Sequence, residues 1–166
     1  MSVINSARRR PVALGRDRRK GNVIFKISAR NQFPGTVVAV KEGAVNGVVT
    51  IEVAPGKTIK ADITMESIRE LGLAEGVKAT AIVKATNVLF AAGSERLAMS
   101  ARNQFAGTVT KVVKGAVNGH VALKTEAGLT FSGSITNEAI DELGLAEGAK
   151  ALAVIKSTDV LVGVEA

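Results

Sequence analysis

The chain has 166 residues, a formal net charge of +7, one histidine and no cysteine. The lack of cysteine excludes disulfides, thiolate metal sites and a cysteine nucleophile, and a lone histidine excludes a multi-histidine metal site within one chain. Aromatic residues make up 3% of the sequence, with no tryptophan or tyrosine, so a platform for stacking nucleic-acid bases is not expected.

The excess positive charge lies at the start of the chain. Residues 1–27 carry eight basic residues and one acidic residue, whereas the remainder has equal numbers of each. We predict a basic, disordered leader over residues 1–27, in which Val23–Phe25 is a candidate short strand or clip. A nucleic-acid partner is expected, if at all, only through this leader. Because no apolar run is long enough to span a membrane and no export signal is evident, we expect a cytoplasmic protein with no membrane partner.

From Ser28 onward the sequence is a tandem repeat. Residues 28–91 align with residues 100–163 without a gap, and 36 of these 64 positions are identical. A match of this strength predicts a duplicated domain rather than a solenoid of short units. We place the first domain at 28–91, a linker at 92–99 and the second domain at 100–166. Since the linker is short and partly apolar, we expect the two halves to pack together.

Each repeat contains the same series of predicted elements. In the first, β-branched or apolar runs predict strands at 36–40, 48–53, 58–64, 77–84 and 87–91. Asn46-Gly47 and Pro55-Gly56 are typical turn dipeptides between the first three strands. Thr64 is suited to cap a short helix that ends at Gly72.

This order of elements predicts an all-β fold. Five short strands with one helix between the third and fourth are typical of a small barrel of the oligonucleotide/oligosaccharide-binding (OB) type. The whole chain is thus expected to form two tandem five-stranded OB-like Greek-key barrels, each with one short helix and with Phe33 or Phe105 in its core. A unit of about 65 residues is marginally stable alone, so we also expect a homo-oligomer.

The most distinctive feature is a polar hexapeptide that occurs twice. Residues 28–33 return unchanged as residues 100–105, and Gly-Thr-Val follows shortly after each copy. The polar residues shared by both repeats offer no nucleophile–base pair, so an enzyme is not expected. Hydroxyls, backbone N–H groups at turns and a few cations are suited instead to a small oxyanion. A purely structural alternative stays open, in which Arg30 and Asn31 form a turn and Lys84 is a solvated strand end.

Three sequence blocks, in order and in both halves, resemble one known family. They are the hexapeptide with its Gly-Thr-Val, the segment 62–67 at the predicted helix start, and the segment 83–88 near the last strand. Together they resemble the molbindin family of tandem Mop (TOBE-like) domains, over residues 28–163. The same tandem pair resembles the sensor half of molybdate-responsive transcription regulators.

The resemblance implies a function, a ligand and an assembly. The implied function is cytoplasmic storage or homeostasis of molybdate, with tungstate as a competitor, bound by hydrogen bonds at the subunit interfaces of a homotrimer. The alternative is a molybdate-sensing module, or the remnant of a molybdate-responsive DNA-binding regulator.

The resemblance also implies which residues contact the anion. In the first half these are Ser28, Ala29, Arg30, Asn31, Thr64, Ser67, Lys84 and Ala85. In the second half they are Ser100, Ala101, Arg102, Asn103, Thr136, Lys156 and Ser157. Because Ser67 is matched by Ala139, we expect the two halves to bind differently.

Overall fold

The structure is a computed structural model and describes residues 25–165. The first repeat forms β1 (Asn31–Lys41), β2 (Asn46–Ala54), β3 (Lys57–Thr64), α1 (Met65–Glu70), β4 (Lys78–Val83) and β5 (Leu89–Ala92). The second forms β6 (Asn103–Lys114), β7 (Asn118–Thr125), β8 (Thr130–Thr136), α2 (Asn137–Glu142), β9 (Lys150–Ile155) and β10 (Leu161–Gly163). A single 3-10 turn precedes the last strand of each repeat, at Ala85–Asn87 and Ser157–Asp159. Within residues 25–165, no helix is long and apolar enough to cross a membrane.

The strands form two antiparallel five-stranded sheets. Sheet 1 has the order β10-β4-β1-β2-β3, and sheet 2 has the order β5-β9-β6-β7-β8. The predicted all-β class, with five strands and one short helix per repeat, is confirmed. The last strands are exchanged, however, because β5 pairs with β9 and β10 pairs with β4. The last strand of each sequence repeat therefore belongs to the sheet formed by the other repeat. The domain boundaries at residues 91 and 100 stay a prediction.

One hydrophobic core joins the two repeats. The predicted core residues Phe33 and Phe105 are both buried. Phe131 lies between them, with its ring centroid 4.7 Å from each of the other two rings. Most buried apolar residues of both sheets form one continuous cluster around these rings, and Ala101, Leu152 and Val154 form a separate small cluster. These contacts agree with the expectation that the two halves pack together. Each sheet also contains one strand from the other repeat.

The first hairpin of each repeat turns earlier than its sequence indicates. The chain reverses over residues 42–45, and Asn46 and Gly47 are already in β2, paired with Thr64 and Ile63. A turn over residues 43–47 that includes the Asn-Gly dipeptide is therefore wrong at its end, because Asn46 and Gly47 already pair with β3. A Cβ atom at Gly47 would lie 2.6 Å from the Cδ1 atom of Ile68 and 3.0 Å from the Lys41 carbonyl oxygen, so a larger residue there would force the Ile68 side chain of α1 to move.

The short helices begin and end as predicted. Thr64 is the N-cap of α1, and its Oγ1 atom accepts a hydrogen bond from the Ser67 N–H at 3.1 Å. Thr136 caps α2 in the same way through the Ala139 N–H. The residue after each C-cap is a glycine with positive φ, +63° at Gly72 and +62° at Gly144, a conformation that favours glycine.

A glutamine in each hexapeptide holds the segment that enters its repeat. Gln32 accepts a hydrogen bond from the Phe25 N–H at 2.8 Å and donates one to the Phe25 carbonyl at 2.9 Å. Gln104 does the same with Leu97. The clip proposed at Val23–Phe25 is therefore present at Phe25, whereas Val23, Ile24 and the rest of the leader to residue 24 lie outside the described residues.

Candidate functional site

Strand pairing brings the start of each hexapeptide beside a lysine. Asn31 pairs with Val83 across β1 and β4, so Arg30 and Lys84 are the next residues beyond the last pair. Asn103 and Ile155 occupy the equivalent positions in sheet 2. We call Ser28, Ala29, Arg30, Lys84 and Ala85 the first cationic cluster. The second cationic cluster comprises Ser100, Ala101, Arg102, Lys156 and Ser157.

The charged and hydroxyl groups of the two clusters are available to a ligand. In both clusters the first serine, the arginine and the lysine are exposed, and the alanine between serine and arginine is buried. The salt bridge recorded among residues 25–165 joins Lys114 and Asp141, so no carboxylate in that part of the chain neutralises the cluster cations. A pair of such cations beside a hydroxyl and the start of a 3-10 turn matches the needs of a small oxyanion.

The asparagine of each hexapeptide has its side chain turned inward. Asn31 is 1% exposed, and its Nδ2 atom donates hydrogen bonds to the carbonyls of Val83 at 3.1 Å and Ser132 at 2.8 Å. Its Oδ1 atom accepts from the Ser132 N–H at 2.7 Å. Both amide hydrogens are thus engaged within the protein, so the side chain has no donor left for an anion. The predicted anion contact of Asn31 therefore depends on its backbone.

Asn103 makes the equivalent connection from the second repeat to the first. Its Nδ2 atom donates to the Lys60 carbonyl at 2.9 Å, and its Oδ1 atom accepts from the Lys60 N–H at 2.8 Å. Each asparagine therefore binds the backbone of an edge strand in the other repeat. An edge strand otherwise presents unpaired backbone groups, which explains why a buried amide is retained here. Sequence reasoning missed this role because the partners are 101 and 43 residues away.

The asparagine bonds also fix how the two repeats pass each other. Lys57 and Thr58 share a cavity of about 490 Å³ with Gln104 and Phe105, whereas Lys60 is bonded to Asn103. The residue numbers in β3 therefore fall as those in β6 rise. The chain that precedes Asn103, residues 100–102, consequently lies on the Thr64 side of Lys60.

Within a single repeat, the helix start and the cationic cluster lie far apart. Thr64 pairs with Asn46, close to where β1 ends. Lys84 lies beside the beginning of β1, and this strand has 11 residues, which corresponds to roughly 35 Å at the usual rise per residue. The structure thus groups Arg30 with Lys84, but it places Thr64 and Ser67 at the other end of sheet 1. Thr136 has the same relation to Arg102 and Lys156.

The described residues offer no alternative metal chemistry. No group of three or more histidine, aspartate or glutamate side chains within residues 25–165 is placed to hold a metal ion.

The chain is similar to known proteins over most of its length. The TOBE domain model matches the chain twice, at residues 27–90 and 99–162. A crystal structure of the cytoplasmic molybdate-binding protein ModG, with molybdate bound, has a TM-score of 0.81 and 48% identity, covering 85% of this chain and 100% of that chain.

Two further relatives differ in length. The molybdenum transport protein ModE of Herbaspirillum seropedicae is 41% identical over 141 residues, which are 85% of this chain and 52% of that protein. The molybdenum-pterin-binding protein 3 of Clostridium pasteurianum is 47% identical over 68 residues, its full length and 41% of this chain. The chain thus spans about half the length of the longer curated relatives it matches. The TOBE domain model matches twice, and the alignments cover the full length of ModG and of the molybdenum-pterin-binding protein 3. The chain therefore belongs to the TOBE-domain family, as a tandem pair of the Mop type.

Proposed function

We propose that this protein is a non-enzymatic, cytoplasmic store for molybdate, with tungstate as a competing ligand. The observation that carries the proposal is the repeated pair of exposed cations, Arg30 with Lys84 and Arg102 with Lys156. Each pair stands at a strand end beside a serine, with no carboxylate partner among residues 25–165. Membership of a family that includes the molybdate-binding protein ModG supports this choice of anion.

The binding mechanism follows from the donors. A tetrahedral dianion accepts hydrogen bonds and donates none, so guanidinium, ammonium, hydroxyl and backbone N–H groups satisfy it without a metal–ligand bond. Such binding is reversible, as storage requires. Discrimination against the smaller sulfate ion then depends on the number of donors and on the size of the space between them.

We further propose that the sites lie at interfaces between copies of the chain. Val45 and Val117 are 74% and 72% exposed, and each lies beside a helix start: the Met65 N–H donates to the Val45 carbonyl and the Asn137 N–H donates to the Val117 carbonyl, both at 2.8 Å. Ile27 and Met99, which precede the two cluster serines, are 48% and 47% exposed. Exposed apolar side chains around a site typically mark an interface, and covering them would strengthen charge interactions by excluding water.

These exposed residues support a homo-oligomer, and the trimer is the state implied by the resemblance. A second chain that covers Ile27 or Met99 would bury apolar surface and shield the adjacent cluster cations in one step. The proposed assembly therefore links oligomerisation to anion affinity.

Calorimetry on the full chain tests the function directly. Titration with molybdate and with tungstate is expected to release or absorb heat at micromolar concentrations, while sulfate should bind far more weakly. The absence of any molybdate binding would rule out the proposal. Light scattering of the same sample tests the assembly, and a strict monomer would argue against interface sites.

A molybdate-sensing module is the alternative function. It is favoured by the alignment with ModE, a protein about twice the aligned length, and by the basic composition of residues 1–27. This alternative predicts salt-sensitive binding to DNA that is lost when residues 1–20 are deleted. A storage protein should show no such binding, so a gel-shift assay at low and high salt distinguishes the two.

A further inference from the structure

We infer that the outer face of sheet 2 carries a separate ligand site, a groove that takes a small organic phosphate. The groove is centred on a row of three residues, Lys150, Thr108 and Lys124, on the neighbouring strands β9, β6 and β7. It lies away from the cationic clusters, because Lys150 begins β9 and Lys156 follows the other end of that strand, roughly 20 Å away at the usual rise per residue. The inference is therefore independent of the proposed storage of molybdate.

The strand register places the two lysines on either side of the threonine. Thr108 pairs with Lys150 across β9 and with Lys124 across β7. Since neighbouring strands lie about 4.8 Å apart, the Cα atoms of the two lysines are roughly 10 Å apart on one face. The adjacent pair, Val109 with Leu123, is buried, so the row faces outward. Two long cationic side chains at this spacing can converge on one phosphate group.

The row retains donors for a ligand. The Nζ atom of Lys150 donates a hydrogen bond to Thr108 Oγ1 at 2.8 Å. An ammonium group has three hydrogens and a hydroxyl has one, so Lys150 and Thr108 each keep a donor. The salt bridge recorded among residues 25–165 joins two other residues, so neither Lys150 nor Lys124 has a carboxylate partner in that part of the chain. Unpaired ammonium groups beside a hydroxyl are the donors that a phosphate group requires.

The first repeat shows that this charge arrangement is particular to sheet 2. The equivalent row in sheet 1 is Lys78, Thr36 and Glu52, with the same register. There the threonine lies between opposite charges, whereas in sheet 2 it lies between like charges. Opposite charges on neighbouring strands stabilise a sheet and like charges destabilise it. A bound anion would compensate for the second lysine, so the change from glutamate to lysine favours a ligand at this row.

Two adjoining cavities make the groove larger than a bare anion needs. The row lines a cavity of about 630 Å³, together with Ser94 and Thr110. A second cavity, of about 490 Å³, has Phe105 and Leu129 in its wall. Ala106, Thr125 and Glu126 line both cavities, so the two are continuous. Sites for small organic molecules have volumes of roughly 300–1,000 Å³, which indicates a phosphate attached to an organic body.

Glu126 lies where the two cavities meet and restricts the ligand further. Its turn is held by Thr125, whose Oγ1 atom accepts a hydrogen bond from the Leu129 N–H at 3.1 Å and whose carbonyl accepts one from the Gly128 N–H at 3.0 Å. A carboxylate accepts hydrogen bonds and repels a second anionic group. The groove is therefore suited to a monophosphate whose body carries hydroxyl or amino donors.

Titration of the full chain with adenosine 5′-monophosphate (AMP) tests the groove. AMP is expected to bind more tightly than adenosine, which lacks the phosphate, and than inorganic phosphate, which lacks the body. Lys124→Glu reproduces the row of sheet 1 and should weaken AMP binding by about tenfold or more, with molybdate affinity unchanged. Lys111→Glu is the matched control, since Lys111 is an exposed residue of β6 that lines neither cavity. It makes the same change in net charge and should leave AMP binding nearly unchanged.

The outcomes separate the groove from the cationic clusters. Sheet 1 already contains the lysine–threonine–glutamate row, so Lys124→Glu should fold, and Lys124→Gln provides a second variant that weakens AMP binding without adding a negative charge. No AMP binding to the parent chain, or equal binding of AMP and adenosine, would overturn the inference. Equal losses in Lys124→Glu and Lys111→Glu would do the same, as would a parallel loss of molybdate affinity in Lys124→Glu. If the parent chain binds AMP but not molybdate, the proposed function fails and the groove stands.

Discussion

The ring of Phe90 occupies the space that a side chain at Gly133 would need. A Cβ atom built at Gly133 would lie 2.3 Å from Cε2 and 2.8 Å from Cζ of Phe90. The two residues belong to different repeats but to the same sheet, because β5 is exchanged. The equivalent positions in the other sheet hold Val162 in place of Phe90 and Ala61 in place of Gly133. Valine is smaller than phenylalanine, and alanine is larger than glycine. Between the repeats, the residue sizes at these two positions therefore change in opposite directions.

This match predicts a coupled effect on stability. Gly133→Ala should lower the free energy of unfolding by about 1–3 kcal/mol, because the added methyl group overpacks the core against Phe90. Adding Phe90→Val recreates the pair found in the other sheet and should recover most of the loss. Urea denaturation of the two single variants and the double variant measures the coupling. Strictly additive effects would mean that the two residues do not meet in solution.

The same pair shows why the strand exchange could not be predicted from the sequence. Local patterns were sufficient for the five strands and the capped helix of each repeat, since alternation, Thr64 and Gly72 act over a few residues. The choice of partner for β5 depends on contacts more than 40 residues away, and an apolar strand that contains Phe90 is compatible with either sheet. Likewise, the polar and repeated Asn31 is predicted to be a ligand contact, whereas its side chain is hydrogen-bonded to the backbone of Ser132, 101 residues away.

The cationic clusters were predictable in part for a similar reason. Arg30 and Lys84 lie at the ends of neighbouring strands, and the resemblance had already grouped them. The position of Thr64 relative to these cations depends on how the two repeats cross, which no local pattern encodes.

The lysines are expected to contribute directly to anion binding. The double variant Lys84→Ala with Lys156→Ala should weaken molybdate binding by at least tenfold, because each loses a charge-assisted hydrogen bond. Both side chains are exposed, so circular dichroism and the melting temperature should change little. Lys57→Ala is the matched control, since Lys57 is also exposed but lies in neither cluster. Binding by the double variant that equals that of the parent would show that these lysines are not ligands.

A surface ion pair is expected to contribute little to stability. Lys114 and Asp141 form a salt bridge with side chains that are 46% and 65% exposed. The equivalent positions in the first repeat are Glu42 and Arg69, the same charges in the opposite order. Reversing the pair with Lys114→Glu and Asp141→Arg should therefore change the free energy of unfolding by less than about 1 kcal/mol. Lys114→Glu alone places like charges together, and its destabilisation should shrink as salt is raised. A loss of several kcal/mol in the reversed pair would show that the bridge has a specific role.

The last prediction concerns the exposed valines next to the helix starts. The double variant Val45→Gln with Val117→Gln replaces two side chains that are 74% and 72% exposed, so the fold of the single chain should be retained. If another copy covers these positions, the polar and larger side chains should dissociate the oligomer, as measured by light scattering at several concentrations. Anion affinity should fall in parallel, because the cluster cations would then face water. Glutamine is neutral, so any loss of affinity cannot come from repulsion between charges.

The variant Val38→Gln, at a residue that is 41% exposed on β1, serves as a comparison away from the helix starts. An oligomer that survives both Val45→Gln and Val117→Gln would place the interface elsewhere on the protein.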